Sequence, residues 1–334
     1  MRHDTRRAAI EFARSLGSRL VNAKRAITAL ALACSLTLLG SAIAGAVAPA
    51  TTSAGPIPYG QGVLWKIERA DSKPSYLFGT IHLSYDEIVT LPKPVKQAFD
   101  QAQSASFEIQ MDRDSWRQWN IVSYYNNWKT LDADIGPDLY ADVVDMAEPY
   151  GLTIHQLRKV KPWVVILMLS QPPGVYTGRE AGEKILDQWL YDEASEQGKA
   201  VYGLETIEEH VGVFADLPED VQRKVIKAMV RQDRVQLRTE LSTLHEEMVQ
   251  HYLDRDIQGI LALGNGLSSG AGEDIEQLIE KRLLDQRNHL MVQRMQPRLA
   301  EGNAFVAVGA GHLPGEEGIV NLLVQQGYKV TRLY

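Results

Sequence analysis

Cysteine is almost absent: among 334 residues only Cys34 occurs, inside an apolar stretch that reads as a leader. The domain beyond that stretch therefore holds neither a disulfide nor a thiolate metal ligand. Charge is also missing in one place, since no charged residue of either sign occurs from Ala26 to Ala50. Before this gap stand seven basic residues (Arg2, Arg6, Arg7, Arg14, Arg19, Lys24, Arg25) against two acids (Asp4, Glu11). A positive segment, an apolar segment and a small-residue end at Ala42-Ile43-Ala44 make the pattern of a signal peptide over residues 1–44, cut after Ala44. The rival is an uncleaved anchor, because the uncharged run meets the roughly 20 residues needed to span a bilayer. Either way the domain is expected outside the cytoplasm, periplasmic or secreted, or membrane-anchored and facing outward. The leader carries +5 of a chain total of −7, so the remainder is at −12. Such an acidic surface argues against nucleic acid as a partner. Absent too are Gly-x-Ser-x-Gly, a phosphate loop and a dinucleotide fingerprint. The run from His245 to His251 has the composition of a zinc-protease helix motif, but its histidines are six residues apart rather than four and do not share a face.

What is present centres on two stretches built alike. Ser75-Tyr76-Leu77-Phe78-Gly79-Thr80-Ile81-His82-Leu83 is an apolar run that reaches a glycine and delivers a histidine three residues later. Ala304-Phe305-Val306-Ala307-Val308-Gly309-Ala310-Gly311-His312-Leu313-Pro314 repeats the pattern near the other end. Each predicts a buried strand closed by a turn-forming glycine, and the C-terminal ends of such strands are where α/β sheets bind ligands. A proline, an amphipathic helix (95–103; 318–326) and another strand (106–111; 328–333) follow in both cases. The expectation is one strand–turn–helix–strand unit used twice, with both histidines at one rim of one sheet.

Taken in order, residues 45–61 form a linker rich in Pro, Gly, Ser and Thr, and a domain runs over 62–334. Val63 to Ile67 starts it as a strand paired with the first histidine strand. The run from Phe107 to Met111 alternates, which puts Glu108 on the polar side of a half-buried strand. Residues 114–195 and 217–297 are helical, the second segment read as two or three surface helices with Arg287 near the end of the last. Trp116, Trp119, Trp128, Trp163 and Trp189 read as helix-packing core. Lys199 to Thr206 is a further strand ending at Gly203, followed by Glu205. The fold class is α/β (α+β): a mixed sheet carrying the two Gly-x-x-His units, with a large helical insertion.

His82, His312, Glu108 and Glu205 converge on one expected site. Imidazole with carboxylate suits Mn, Co, Fe or Zn, and a hydrolytic site needs an open position plus a carboxylate to take a proton. Glu205 as a helix N-terminal acid and Glu108 as a plain surface residue are the bland alternatives. His155, His210 and His289 have no supporting pattern.

These residues resemble the TraB/PrgY/GumN family, distantly related to the Tiki metalloproteases. The likeness rests on Leu77 to Leu83, Phe107-Glu108, Gly203-Leu204-Glu205-Thr206, Arg287-Asn288 and Val308 to Gly315. It implies a Mn- or Co-dependent peptidase with His82, His312 and Glu108 as metal ligands, Zn or Fe being alternatives. Glu108, Glu205, Arg287 and Asn288 are then the expected catalytic residues, with Glu108 or Glu205 as base and Arg287 at the oxyanion or a substrate carboxylate. One departure is Gly182-Glu183-Lys184, where the family pattern puts Gly-hydrophobic-Asp. The expected function is an exported metal-dependent hydrolase acting on a peptide or small molecule. The alternatives are an esterase and a non-catalytic binder of a peptide or haem-like ligand.

Overall fold

The computed structural model describes residues 56–180, 182–230, 234–265 and 273–334. The expected signal peptide and most of the linker lie outside the described residues, as does most of the Gly/Ser-rich break at 264–272. Six strands form one sheet: β1 (Leu64–Glu68), β2 (Ser75–Thr80), β3 (Ser104–Phe107), β4 (Ala200–Gly203), β5 (Ala304–Gly309) and β6 (Lys329–Arg332), in the order β4-β3-β5-β2-β1-β6. Pairing is parallel from β4 through β3 and β5 to β2, while β1 runs against both β2 and β6. The doubled unit is present. The helix α1 (Lys93–Gln101) leads from β2 to β3, and five further helices matter below: α2 (Leu186–Glu196), α3 (Ile207–Ala215), α4 (Arg234–Leu253), α5 (Asp285–Glu301) and α6 (Ile319–Gln325), the last leading from β5 to β6.

Both faces of the sheet are covered, which is why β5 is apolar without a break. Phe305 and Ala307 look toward Phe99 of α1, Leu190 of α2 and Met248 of α4. Val306 and Val308 look the other way, toward Met291 and Met295 of α5 and Leu323 of α6. A separate helical layer gathers Leu131, Trp163, Ile166, Val225 and Met229.

Several expectations change. Residues 217–297 fold into helices at Glu219–Val230, α4, Ile257–Asn265, Glu273–Leu283 and α5, and these are not mere surface: Met248, Ile260 and Met291 are fully buried. Arg287 falls in the first turn of the last helix rather than near its end, because α5 continues through Pro297 to Glu301. Among the tryptophans, Trp163 is core with Trp119 edge-on to it, but Trp116 is 49% and Trp128 91% exposed. Strand β3 stops at Phe107 and is buried throughout, so Glu108 stands beyond the strand end and is itself buried. That corrects the surface-strand alternative.

The glycines of the Gly-x-x-His units also act differently from a turn. Both lie in their strands, and neither has positive φ. A Cβ at Gly79 would come within 2.7 Å of Leu313 Cδ1 and 2.8 Å of Ala310 Cα, so glycine lets β2 pass close under the turn that follows β5. Gly79→Ala overfills this contact and is expected to cost about 1–3 kcal/mol, seen as a lower urea midpoint at an unchanged slope.

Candidate metal centre at the strand ends

Register puts the two histidines together. Thr80 pairs with Gly309 across the parallel β2–β5 ladder, so His82 and His312 both leave the sheet at the same rim. Glu108 leaves β3 there, and its carbonyl accepts the N–H of Glu205 at 2.7 Å just past β4. Four parallel strand ends thus deliver four of the expected residues to one place.

Arg287 organises the carboxylates. Its Nε donates to Glu205 Oε1 at 2.7 Å, its Nη2 to Glu205 Oε2 and Glu108 Oε2 at 2.7 Å each, and its Nη1 to the Leu283 carbonyl at 3.2 Å. His210, on α3, places Nδ1 3.1 Å from both Glu205 Oε2 and Arg287 Nη2. Helix α3 starts at a capping box of Thr206 and Glu209, which sets the turn that brings His210 back over Glu205. Glu108 spends its other oxygen on the Gly309 N–H at 2.6 Å.

Each histidine is held through Nδ1. His82 Nδ1 lies 2.7 Å from Asp187 Oδ2, whose Oδ1 accepts from Thr80 Oγ1 at 2.6 Å. His312 Nδ1 lies 2.6 Å from Asn288 Oδ1, and Asn288 Nδ2 donates to the Glu317 carbonyl at 2.8 Å. A carbonyl can only accept, so the Asn288 amide is oriented with its oxygen toward His312, which must donate from Nδ1. His312 Nε2 then carries the lone pair. It is buried, has no hydrogen-bond partner and faces Glu108 Oε1 at 3.7 Å.

Burial raises the Glu108 pKa, but Arg287 and then His312, His82 and His210 outweigh it and hold the carboxyl below the usual range. Burial likewise opposes ionisation of Glu205, yet Arg287 and His210 bring it down to about 2. Burial, reinforced by Arg287, lowers His312 to about 3, so this imidazole is neutral. The buried charged residues among the described ones are Glu108, Asp187, Glu205 and Arg287. Glu108 and Glu205 thus share the single guanidinium of Arg287, while Asp187 is paired with His82 and Thr80.

Glu108, Glu205 and His210 bring ligand-type atoms within 4.8 Å of one another. Their facing atoms already converge on Arg287 Nη2, and a second cation at that point would meet the guanidinium. Away from the guanidinium, Glu108 Oε1 and the unpartnered His312 Nε2 face each other at 3.7 Å.

Sequence reasoning missed Asp187 and His210. Asp187 follows Leu186, so a hydrophobic-Asp pair does stand in the first turn of the mid-chain helix. Ile185 takes the place of the glycine, and Glu183 is an exposed partner of Ser84 at 2.9 Å. For His210 the one available signal was the capping box. His289 pairs with Glu317 on the surface, and His155 is exposed.

Fold and site together define an α/β protein with a buried histidine–carboxylate centre at the ends of parallel strands. The chain belongs to the TraB/PrgY/gumN family, whose sequence model matches residues 63–332. Metalloprotease TIKI2 of Danio rerio is 25% identical over 320 residues, covering 80% of this chain and 60% of that protein. Metalloprotease TIKI1 of Danio rerio is 24% identical over 315 residues, with 80% and 62% covered. The TIKI homolog of Nematostella vectensis is 23% identical over 314 residues, with 80% and 66% covered. The chain thus spans about 60% of the length of the first two curated relatives.

Proposed function

We propose that this protein is a metal-dependent peptidase in which His82, His312 and Glu108 hold one divalent ion, Mn or Co before Zn or Fe. The observation that carries the reading is the buried, neutral His312 with its unpartnered Nε2 facing the Glu108 carboxylate. A bound divalent ion supplies Lewis acidity toward a carbonyl and lowers the pKa of water. The chain's own residues do the rest. Arg287 and Glu205 hold Glu108 in place; with its Nε, Nη1 and Nη2 all engaged, Arg287 positions a carboxylate rather than an oxyanion. Neither glutamate is assigned the base here, because Arg287 engages both carboxylates and holds them below the ordinary carboxylate range. His210, at the more open edge of the cluster, is the group we assign to carry the proton to the leaving nitrogen. A peptide substrate and a place outside the cytoplasm complete the proposal. They rest on the names of the relatives and on the leader pattern of residues 1–44.

Glu108→Gln tests the ligand assignment. Metal content and cleavage of a fluorogenic peptide library, measured on one preparation, should fall together, because the amide removes the anionic ligand. Metal retained with turnover lost would return Glu108 to the role of base.

A further inference from the structure

We infer that Asp187 is a positioning residue: it locks His82 in the Nδ1–H form and, as the charged member of an unequal pair with Asn288, makes His82 the stronger of the two imidazole donors. The inference rests on the metal reading for its second half only.

The geometry starts at helix α2. Its first residue, Leu186, donates its backbone N–H to the Leu83 carbonyl at 2.9 Å, tying the start of the helix to the loop that carries His82. Asp187 is next, buried, in the first turn, where the positive end of the helix dipole favours a carboxylate. Both of its oxygens accept, one from Thr80 and one from His82. A carboxylate cannot donate, so the proton of the 2.7 Å contact belongs to His82 Nδ1, and the lone pair lies on Nε2. His312 reaches the same tautomer through the neutral Asn288 amide. The two histidines of one repeated motif are thus oriented alike but polarised differently. A carboxylate behind an imidazole, carrying a full negative charge, raises its basicity as a ligand more than a neutral amide oxygen does. His82 and Asp187 are also the pair nearer solvent, since the His82 side chain is 16% exposed and that of His312 not at all. The stronger donor would therefore be the one an ion meets first.

The test uses the full chain with Asp187→Asn and Asp187→Ala. Nitrogen-15 NMR of the imidazoles in metal-free protein, at about pH 8 so that ordinary histidines are neutral, reads the tautomer directly. Titration with Mn²⁺ and Co²⁺ reads affinity. Asp187→Asn should keep the Nδ1–H form but bind either ion about 10–100-fold more weakly. Asp187→Ala should bind at least as weakly and show His82 as a mixture of tautomers. Melting temperature separates loss of fold from loss of positioning. If Asp187→Ala leaves the His82 tautomer unmixed, the positioning role is overturned. If Asp187→Asn binds metal as tightly as the parent chain, the polarising role is. A parent chain that binds neither ion defeats the metal reading and the polarising half, while the tautomer result still decides the other.

Discussion

The Arg287→Met protein should lose about 3–5 kcal/mol of stability, the usual cost of leaving buried charge without its partner. Methionine keeps much of the arginine volume, so the loss measures charge and hydrogen bonding more than packing. Two carboxylates, Glu108 and Glu205, give up donors at 2.7 Å in a site closed to water. The pH dependence gives the sign. In the parent chain Glu205 is held down to about 2, so its contribution is complete above the ordinary glutamate pKa and disappears only as pH falls toward that value. Without Arg287 the largest influence opposing burial is gone, and both carboxyls rise. Their cost is then present at neutral pH and is relieved as they protonate. Urea unfolding at about pH 7 and about pH 4 should show the difference between the two proteins narrowing on acidification. A constant difference would assign the effect to packing. Arg287→Met with Glu205→Gln should recover part of the loss, because one of the two abandoned charges is gone.

Turnover of the His312→Asn protein should drop at least ~100-fold, since groups that merely orient a metal-binding histidine already account for 10–100-fold. Bound metal should fall with it. Asparagine is chosen because His312 is fully buried and alanine would leave a cavity with its own destabilisation. Metal per chain, peptide cleavage and melting temperature belong on one preparation. Metal and cleavage retained beside a lowered melting temperature would make His312 a structural residue and remove the basis of the proposed function.

The parts of this site that could be read in the sequence are those fixed locally. A strand, a glycine and a histidine three residues on make a pattern within ten residues, and register then puts Thr80 opposite Gly309. Glu205 was legible as an acid just past a strand-ending glycine, but Glu108 reads as the polar side of a strand, because alternation from Phe107 to Met111 imitates a half-exposed one. Asp187 was not legible. It meets His82 across 105 residues, and its own surroundings are those of any acid in the first turn of a helix. The tryptophans misled for a related reason: Trp116 and Trp119 are neighbours on one helix, and only its docking direction decides that Trp119 packs on Trp163 while Trp116 is half exposed. Helical periodicity is clear from 217 to 297, but Arg287 falls at the start of the last helix rather than near its end, since that helix begins at Asp285 and carries Pro297 in its last turns.

Strand order has a consequence for the way the chain is made. The middle of the sheet is β5, which sits between β3 and β2 yet begins at Ala304, nearly 200 residues after β3 ends at Phe107. At ribosomal speeds of roughly 5–20 residues per second that interval lasts about 10–40 s. Throughout it β2 and β3 have a gap between them that no other strand fills. The two halves of the rim meet only when one of the last strands slides between partners synthesised long before, a non-local closure of the kind that folds slowly. The growing chain therefore has no complete sheet, and no assembled rim, until β5 has left the ribosome.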